Sequence, residues 1–188
     1  GAGARRGGAR IRQPARVRAL TASAGRVTGV ELDSGERISA ATVVLAAGYW
    51  SVALAAPVGV ELPLESERAQ LLLVDPGRPL GPVPVLSDLV GLQYLRTERS
   101  GHLLVGDSDH RKPHYADPDG YPERAEPAFV ESAVSRLAAR FPALDGASVT
   151  SSYAGCYDVT PDYNPIIGPA AVPGLLLCVG FSGHGFKI

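Results

Sequence analysis

Apolar and polar residues alternate over 16–20 and again over 26–32, around Ser23-Ala24-Gly25, and this pattern predicts a β-hairpin. A second turn at Asp33-Ser34-Gly35-Glu36 leads through Ile38 into Thr42-Val43-Val44-Leu45-Ala46-Ala47-Gly48. That stretch is continuously apolar, as expected of a strand buried on both faces of a parallel sheet. Tyr49 to Leu54 then read as a short helical turn. From Pro57 the pattern changes: short β-type runs at 69–74, 83–86, 91–96 and 102–106 sit between prolines and long connections, which predicts an antiparallel sheet. Residues 111–127 are rich in Pro and Asp and read as a surface loop.

One helix is plain. Phe129, Val130, Ala133, Val134, Leu137 and Phe141 make an apolar stripe at helical spacing, with Pro127 near the start and Pro142 past the end. Its role is packing. Residues 148–154 then read as a strand, 157–168 as a turn-rich loop, and Leu175-Leu176-Leu177-Cys178-Val179 as a buried strand. The fold class expected is α/β plus α+β, with the middle of the chain flanked by two pieces of one α/β sheet. The corresponding domains are 1–56, 57–154 and 155–188.

Composition narrows the function classes. At 188 residues and 45% hydrophobic, the chain has ample material for a core. A net charge of −1 gives no electrostatic case for nucleic acid or an anionic membrane surface. No apolar run approaches the ~20 residues of a membrane-spanning helix. Cys156 and Cys178 make neither a disulfide framework nor a zinc site, and the four histidines lack metal-ligand spacing, so no metal is expected. A cytoplasmic setting is the expectation. The chain has no Met and ends just after a new helix would begin, so we expect it to be a segment of a longer protein.

The last nine residues hold the most informative run, Gly180-Phe181-Ser182-Gly183-His184-Gly185-Phe186-Lys187-Ile188. A buried strand opens into a segment nearly without side-chain bulk. Its backbone can approach a flat ligand, and a helix starting there would aim its positive end at it. A plain strand-to-helix turn would use the same residues.

Three segments taken in order carry a family resemblance: Val27-Thr28-Gly29-Val30 through Gly35 to Val43–Ser51, then Gly155-Cys156-Tyr157-Asp158-Val159-Thr160-Pro161-Asp162-Tyr163-Asn164-Pro165-Ile166-Ile167-Gly168, then Gly180 to Lys187. Together they resemble the FAD-dependent oxidoreductases of the D-amino-acid oxidase superfamily, nearest to the sarcosine oxidase and dimethylglycine dehydrogenase-like branch. The resemblance implies part of an FAD-binding Rossmann-like domain with an inserted antiparallel-sheet substrate domain. It also implies a further N-terminal part of the same protein carrying the G-x-G-x-x-G pyrophosphate grip. Gly1-Ala2-Gly3-Ala4-Arg5-Arg6-Gly7 lacks that spacing and the preceding strand.

On this resemblance, FAD contacts are expected from Ala46, Ala47, Gly48, Trp50, Gly180, Phe181, Ser182, Gly183, His184 and Gly185. Strand–helix packing remains the other reading of Ala46 to Gly48, a core aromatic that of Trp50, and loop stabilisation that of His184. Lys187 is expected to hold a substrate carboxylate and Tyr157 to line the substrate pocket, against a surface lysine and a core tyrosine. Thr160-Pro161-Asp162 reads as a proline-set turn.

Two departures matter. Relatives with a covalent flavin carry a cysteine five residues before the Thr of Thr-Pro-Asp. Here Gly155 stands there and Cys156 is one residue late, which turns its side chain to the other face and implies non-covalent FAD. In the branch, a lysine over the flavin promotes reaction with oxygen and a histidine follows four residues on. Leu104 and Ser108 match those positions, which favours a dehydrogenase or slow oxidase.

The expected function is two-electron oxidation of the C–N bond of a small amine or amino-acid substrate of the sarcosine, glycine or D-amino-acid kind. A non-catalytic assembly or regulatory flavoprotein of the same fold is the alternative, and a subunit of a hetero-oligomeric oxidase is a third. The segment alone is expected to be inactive.

Overall fold

Alternation and turn chemistry place the first three strands. In a computed structural model, which describes residues 1–81 and 83–185, a short exposed helix α1 (Ala2–Arg6) precedes β1 (Val17–Ser23), β2 (Arg26–Leu32) and β3 (Arg37–Ser39). These form an antiparallel meander in the order β1-β2-β3. Gly29 is the tight point between β2 and β3. It pairs with Ser39 at φ 154°, and a side chain there would overlap the carbonyl of Ile38. Strand β4 (Val43–Leu45) follows, then a 3-10 turn, Gly48–Trp50, and helix α2 (Ser51–Ala55).

Strand β5 (Glu65–Asp75) opens the antiparallel part, followed by β6 (Leu86–Asp88), β7 (Gln93–Thr97) and β8 (Leu103–Asp107). Helix α3 (Pro127–Arg140) begins on its proline, and β9 (Ser148–Val159) follows it. Strands β10 (Ile166–Pro169) and β11 (Leu175–Val179) complete the described elements. Among the described residues no helix is long and apolar enough to cross a membrane.

The chain divides into two compact units. One comprises residues 1–64 and 160–188, the other residues 65–159.

In the first unit a second sheet has the order β10-β11-β4, with β11 antiparallel to β10 and parallel to β4. Leu175 pairs with Val43 and Leu177 with Leu45, so both parallel strands end on the same side. Leu45, Leu175 and Leu177 pack with Leu20, Val27, Ala55 and Val60. The expectation that the apolar run at Val43 is buried on both faces is corrected here. Side chains alternate along a strand, and the other face, with Val44 58%, Ile167 61% and Leu176 37% exposed, is uncovered in this chain. The turn-rich reading of 157–168 also gives way, since β10 lies within its end and pairs four residues with β11.

In the second unit five antiparallel strands run β6-β7-β8-β5-β9. One face carries Leu72, Val74, Leu95, Leu103 and Val105, packed against Ala133 and Leu137 of α3. Strand β9 extends past the expected end at residue 154 to Val159. It pairs with β5 from Ser148 against Asp75 to Val159 against Glu65, and this ladder outweighs the turn-like local composition.

Candidate functional site

The carboxyl ends of β4 and β11 position the first group of expected residues. In open α/β sheets, that end of adjacent parallel strands is where ligands bind. Ala46 is exposed, Ala47 and Gly48 are half-buried, and Gly48 turns the chain at φ 55°. The amide of Ala47 donates to Oγ of Ser51 at 3.2 Å, and Ser51 is fully buried. Ser51 therefore ties down the backbone at Ala47, a part that nothing in the residue pattern signalled. Trp50 is 47% exposed in this chain.

Gly180 to Gly185 leave the neighbouring strand at the same end. Positive φ at Gly180 (72°), Ser182 (50°) and Gly183 (78°) folds the run back on itself, and the amide of His184 donates to the carbonyl of Phe181 at 2.7 Å. Two of the glycines answer to the protein itself. A Cβ at Gly180 would lie 2.5 Å from Cγ2 of Thr160 and 3.0 Å from Cδ2 of Leu64, and one at Gly185 would press on Phe181 at 3.1 Å. Ser182 is buried, its hydroxyl donating to the carbonyl of Gly180 at 3.1 Å and accepting from the amide of Thr160 at 3.3 Å. Thr160 in turn donates its hydroxyl to the carbonyl of Asn164 at 2.8 Å. The Thr-Pro-Asp turn and the glycine bend are thus one hydrogen-bonded piece. Lys187, and any helix opening after Gly185, lie outside the described residues.

Do these residues fit a flavin? The exposed Ala46, the half-buried Ala47 and Gly48, and the exposed Trp50 give a low-relief apolar edge suited to a flat ring. Among the described residues, a strand leading into a phosphate-gripping glycine turn is absent: Gly1 to Gly7 form an exposed helix and its cap. The fit is to part of FAD.

In the second unit, the sheet face opposite α3 carries a row of tyrosines. Tyr94 of β7 pairs with Gly106 of β8, Gly106 with Leu71 of β5, and Leu71 with Tyr153 of β9. Tyr157 follows four pairs along on the same face, opposite Glu67. The missing side chain at Gly106 is what admits the ring of Tyr94, which fills the space a Cβ would take. The hydroxyls of Tyr94 and Tyr157 are hydrogen-bonded, and burial first, then Tyr157, pushes the Tyr94 phenol well above the usual tyrosine range. Burial likewise raises that of Tyr153. Of these tyrosines the sequence pointed only to Tyr157. The available signal for Tyr94 was a tyrosine in a β-run facing a glycine in the next one.

Alternation also places the departures noted above. Gly155 pairs with Ala69 and shares the tyrosine face, whereas Cys156 pairs with Arg68, whose guanidinium bonds Glu126 at 2.9 Å and the carbonyls of Pro122 and Arg124. The thiol therefore faces away from the tyrosines. Leu104 is buried on the tyrosine face, paired with Leu73 on one side and Arg96 on the other.

Comparison with known proteins matches residues 1–188 to the family described as FAD dependent oxidoreductase. A glycine oxidase from Pseudomonas putida is 33% identical over 87% of this chain and 41% of its own length. Sarcosine oxidase subunit beta from Rhodobacter capsulatus is 29% identical over 93% of this chain and 40% of its own. The crystal structure of L-proline dehydrogenase from P. horikoshii superposes with a TM-score of 0.85 at 24% identity, covering 97% of this chain and 48% of that one. The chain thus spans about two fifths of the length of the curated relatives it matches, at 41% and 40%.

Proposed function

The chain belongs to the FAD-dependent oxidoreductase family, and on that premise we propose that it forms part of a flavoenzyme oxidising the C–N bond of a small amino acid or N-methylated amino acid. The observation carrying this reading is the hydrogen-bonded pair Tyr94–Tyr157 on the sheet face opposite α3, a face that Leu71, Leu73 and Leu104 share. Bound FAD would supply a two-electron acceptor for the hydride leaving carbon. The residues of this chain bind and orient. Tyr94 stays protonated at neutral pH, so the pair has one donor already spent internally and one hydroxyl left to direct at the substrate. Leu71, Leu73 and Leu104 on the same face favour the uncharged amine over its ammonium form. No strong base is needed for hydride loss from a neutral amine, and water hydrolyses the resulting imine.

Further parts of the proposal rest on the resemblance. Lys187 is assigned to the substrate carboxylate, and Ala46 to Gly48, Trp50 and Gly180 to Gly185 to the cofactor. The orientation of Cys156 supports non-covalent FAD, and Leu104 in place of a lysine supports slow reaction with oxygen. A hetero-oligomeric assembly is a second reading of the whole protein, favoured by the relative named as a subunit beta. The test is anaerobic bleaching of the flavin in the full-length protein by glycine, sarcosine, dimethylglycine, proline and D-amino acids. Bleaching by a member of this panel is expected. A flavin that none of them reduces would defeat the oxidase reading and leave a non-catalytic flavoprotein.

A further inference from the structure

The turn joining β6 to β7 is braced from both sides. Oδ1 of Asp88 accepts the amides of Val90 and Gly91 at 3.0 Å each, and Nη1 of Arg136 donates to the carbonyls of Gly91 and Leu92 at 3.1 Å each. The amide of Ser108 donates to the carbonyl of Leu92 at 3.0 Å, and Leu92 itself sits at φ 52°, a left-handed conformation uncommon outside glycine. What this scaffold displays is apolar. Leu89 is 80% exposed and Val90 91%. Single exposed apolar residues are ordinary, but two adjacent ones on a fixed turn can be buried at little cost in chain entropy.

Helix α3 stands between this turn and a groove of matching character. Arg136 and Arg140, one helical turn apart, both reach the β6–β7 connection, Arg140 through Asp88 at 3.4 Å. On the other flank of the helix lies an open groove of about 520 Å³, floored by Val74 and Leu137 and walled by Val134, Ala138, Phe141 and Val149. At about 100° per residue, the two arginines point to one side of the helix and Val134 and Ala138 to the other. The crest between them holds Ala128, Ser132, Ser135 and Ala139, all exposed and all small. A helix crest facing water ordinarily carries charged residues. This one would let a second helix approach closely.

Turn, crest and groove therefore follow one another across α3. A two-fold rotation about an axis through the crest reverses that order and lays each turn over the other copy's groove. We propose that two copies of this chain associate in this way, crest against crest, with Leu89 and Val90 of each seated in the groove of the other. The surface is complementary to itself, as a two-fold interface requires. The charges agree: the rotation carries Arg140, beside the turn, toward Asp145, on the groove. The inference goes beyond the amine-oxidising reading and holds whether or not any amine reduces the flavin.

Sedimentation equilibrium of the full-length holoprotein tests it, with flavin content and thermal midpoint as checks on folding. A dimer that dissociates on dilution is expected. Leu89→Ser/Val90→Ser in the turn and Ala138→Glu in the groove are each expected to raise the dimer dissociation constant on the order of a hundredfold, because the axis counts every lost contact twice. Mixing the two variants tests the geometry. The intact turn of the groove variant meets the intact groove of the turn variant, so the mixture is expected to dimerise more tightly than either variant alone. A monomeric wild type, its groove taken by another part of the chain or by a different subunit, overturns the proposal. So does a dimer that neither substitution weakens, or a mixture no tighter than its components.

Discussion

The ring of Tyr94 lies across Gly106 on the adjacent strand, in the volume a side chain would occupy. In a strand interior, Gly→Ala is ordinarily neutral or helpful, because glycine is the weaker strand residue. Here Gly106→Ala must push the ring aside and separate Tyr94 from Tyr157. We expect it to destabilise the second unit by about 1–3 kcal/mol, the range for overpacking, and to lower the rate of flavin reduction in the full-length enzyme. Denaturant unfolding and stopped-flow reduction measure the two effects. Wild-type behaviour in both would show that the pair is not held by this contact.

The tyrosine pair also sets a pH dependence. The Tyr94 phenol titrates above its unfolded value of 10.0, chiefly through burial. The folded state therefore holds the proton more tightly than the unfolded one. Stability from this group is fully present below about pH 10 and is lost as pH rises toward the folded value. Tyr94→Phe should flatten the alkaline limb of stability between about pH 10 and 12, seen in thermal midpoints across that range. An unchanged limb would assign it to other groups.

Much of this architecture was legible in the chain because its cues are local. The hairpin at Ser23-Ala24-Gly25, the helix from Pro127 and the strand from Leu175 each carry their own periodicity and stop signals. What was not legible depends on pairing. Strand β9 continues through Gly155 and Cys156 only because β5 lies alongside, and Tyr94 meets Tyr157 only because β8 and β5 intervene in register. The bend at Gly180 was legible as a special backbone. Its packing against Thr160 and Leu64 was not, since both contacts come from distant segments.

Arg68 offers a test of what holds the long connection before α3. Its side chain is 1% exposed, and it ties β5 to Glu126 and to the carbonyls of Pro122 and Arg124. Arg68→Ala leaves those carbonyls without their donor and is expected to cost about 2–4 kcal/mol, at the lower side of a broken buried pair because Glu126 is half-exposed. Hydrogen exchange should show the loss first in residues 116–126. Uniform loss across the sheet would mean that the arginine supports the core and not the loop.

Cofactor attachment follows from one strand parity. Gly155 faces the tyrosines and Cys156 faces Arg68. Acid precipitation of the full-length protein is expected to release all FAD to the supernatant, leaving a colourless pellet. A yellow pellet whose colour survives in a Cys156→Ala variant would point to attachment elsewhere, and one lost in that variant would contradict the parity argument.

The bend itself can be tested through its packing. Gly180 sits at φ 72°, and an added Cβ would lie 2.5 Å from Cγ2 of Thr160. Left-handed backbone strain of roughly 1–2 kcal/mol then adds to the overlap, so Gly180→Ala should cost about 2–3 kcal/mol. The two contributions separate by substitution. Thr160→Ser removes Cγ2 but keeps the hydroxyl that donates to the carbonyl of Asn164. The double variant Gly180→Ala/Thr160→Ser should therefore regain the Thr160 part of the overlap and retain the Leu64 contact and the strain. Flavin content of the purified full-length protein is expected to follow the same order: lowest in the single variant, partly restored in the double. Full loading in Gly180→Ala, with stability reduced, would show that the bend serves the fold of the first unit and not the cofactor.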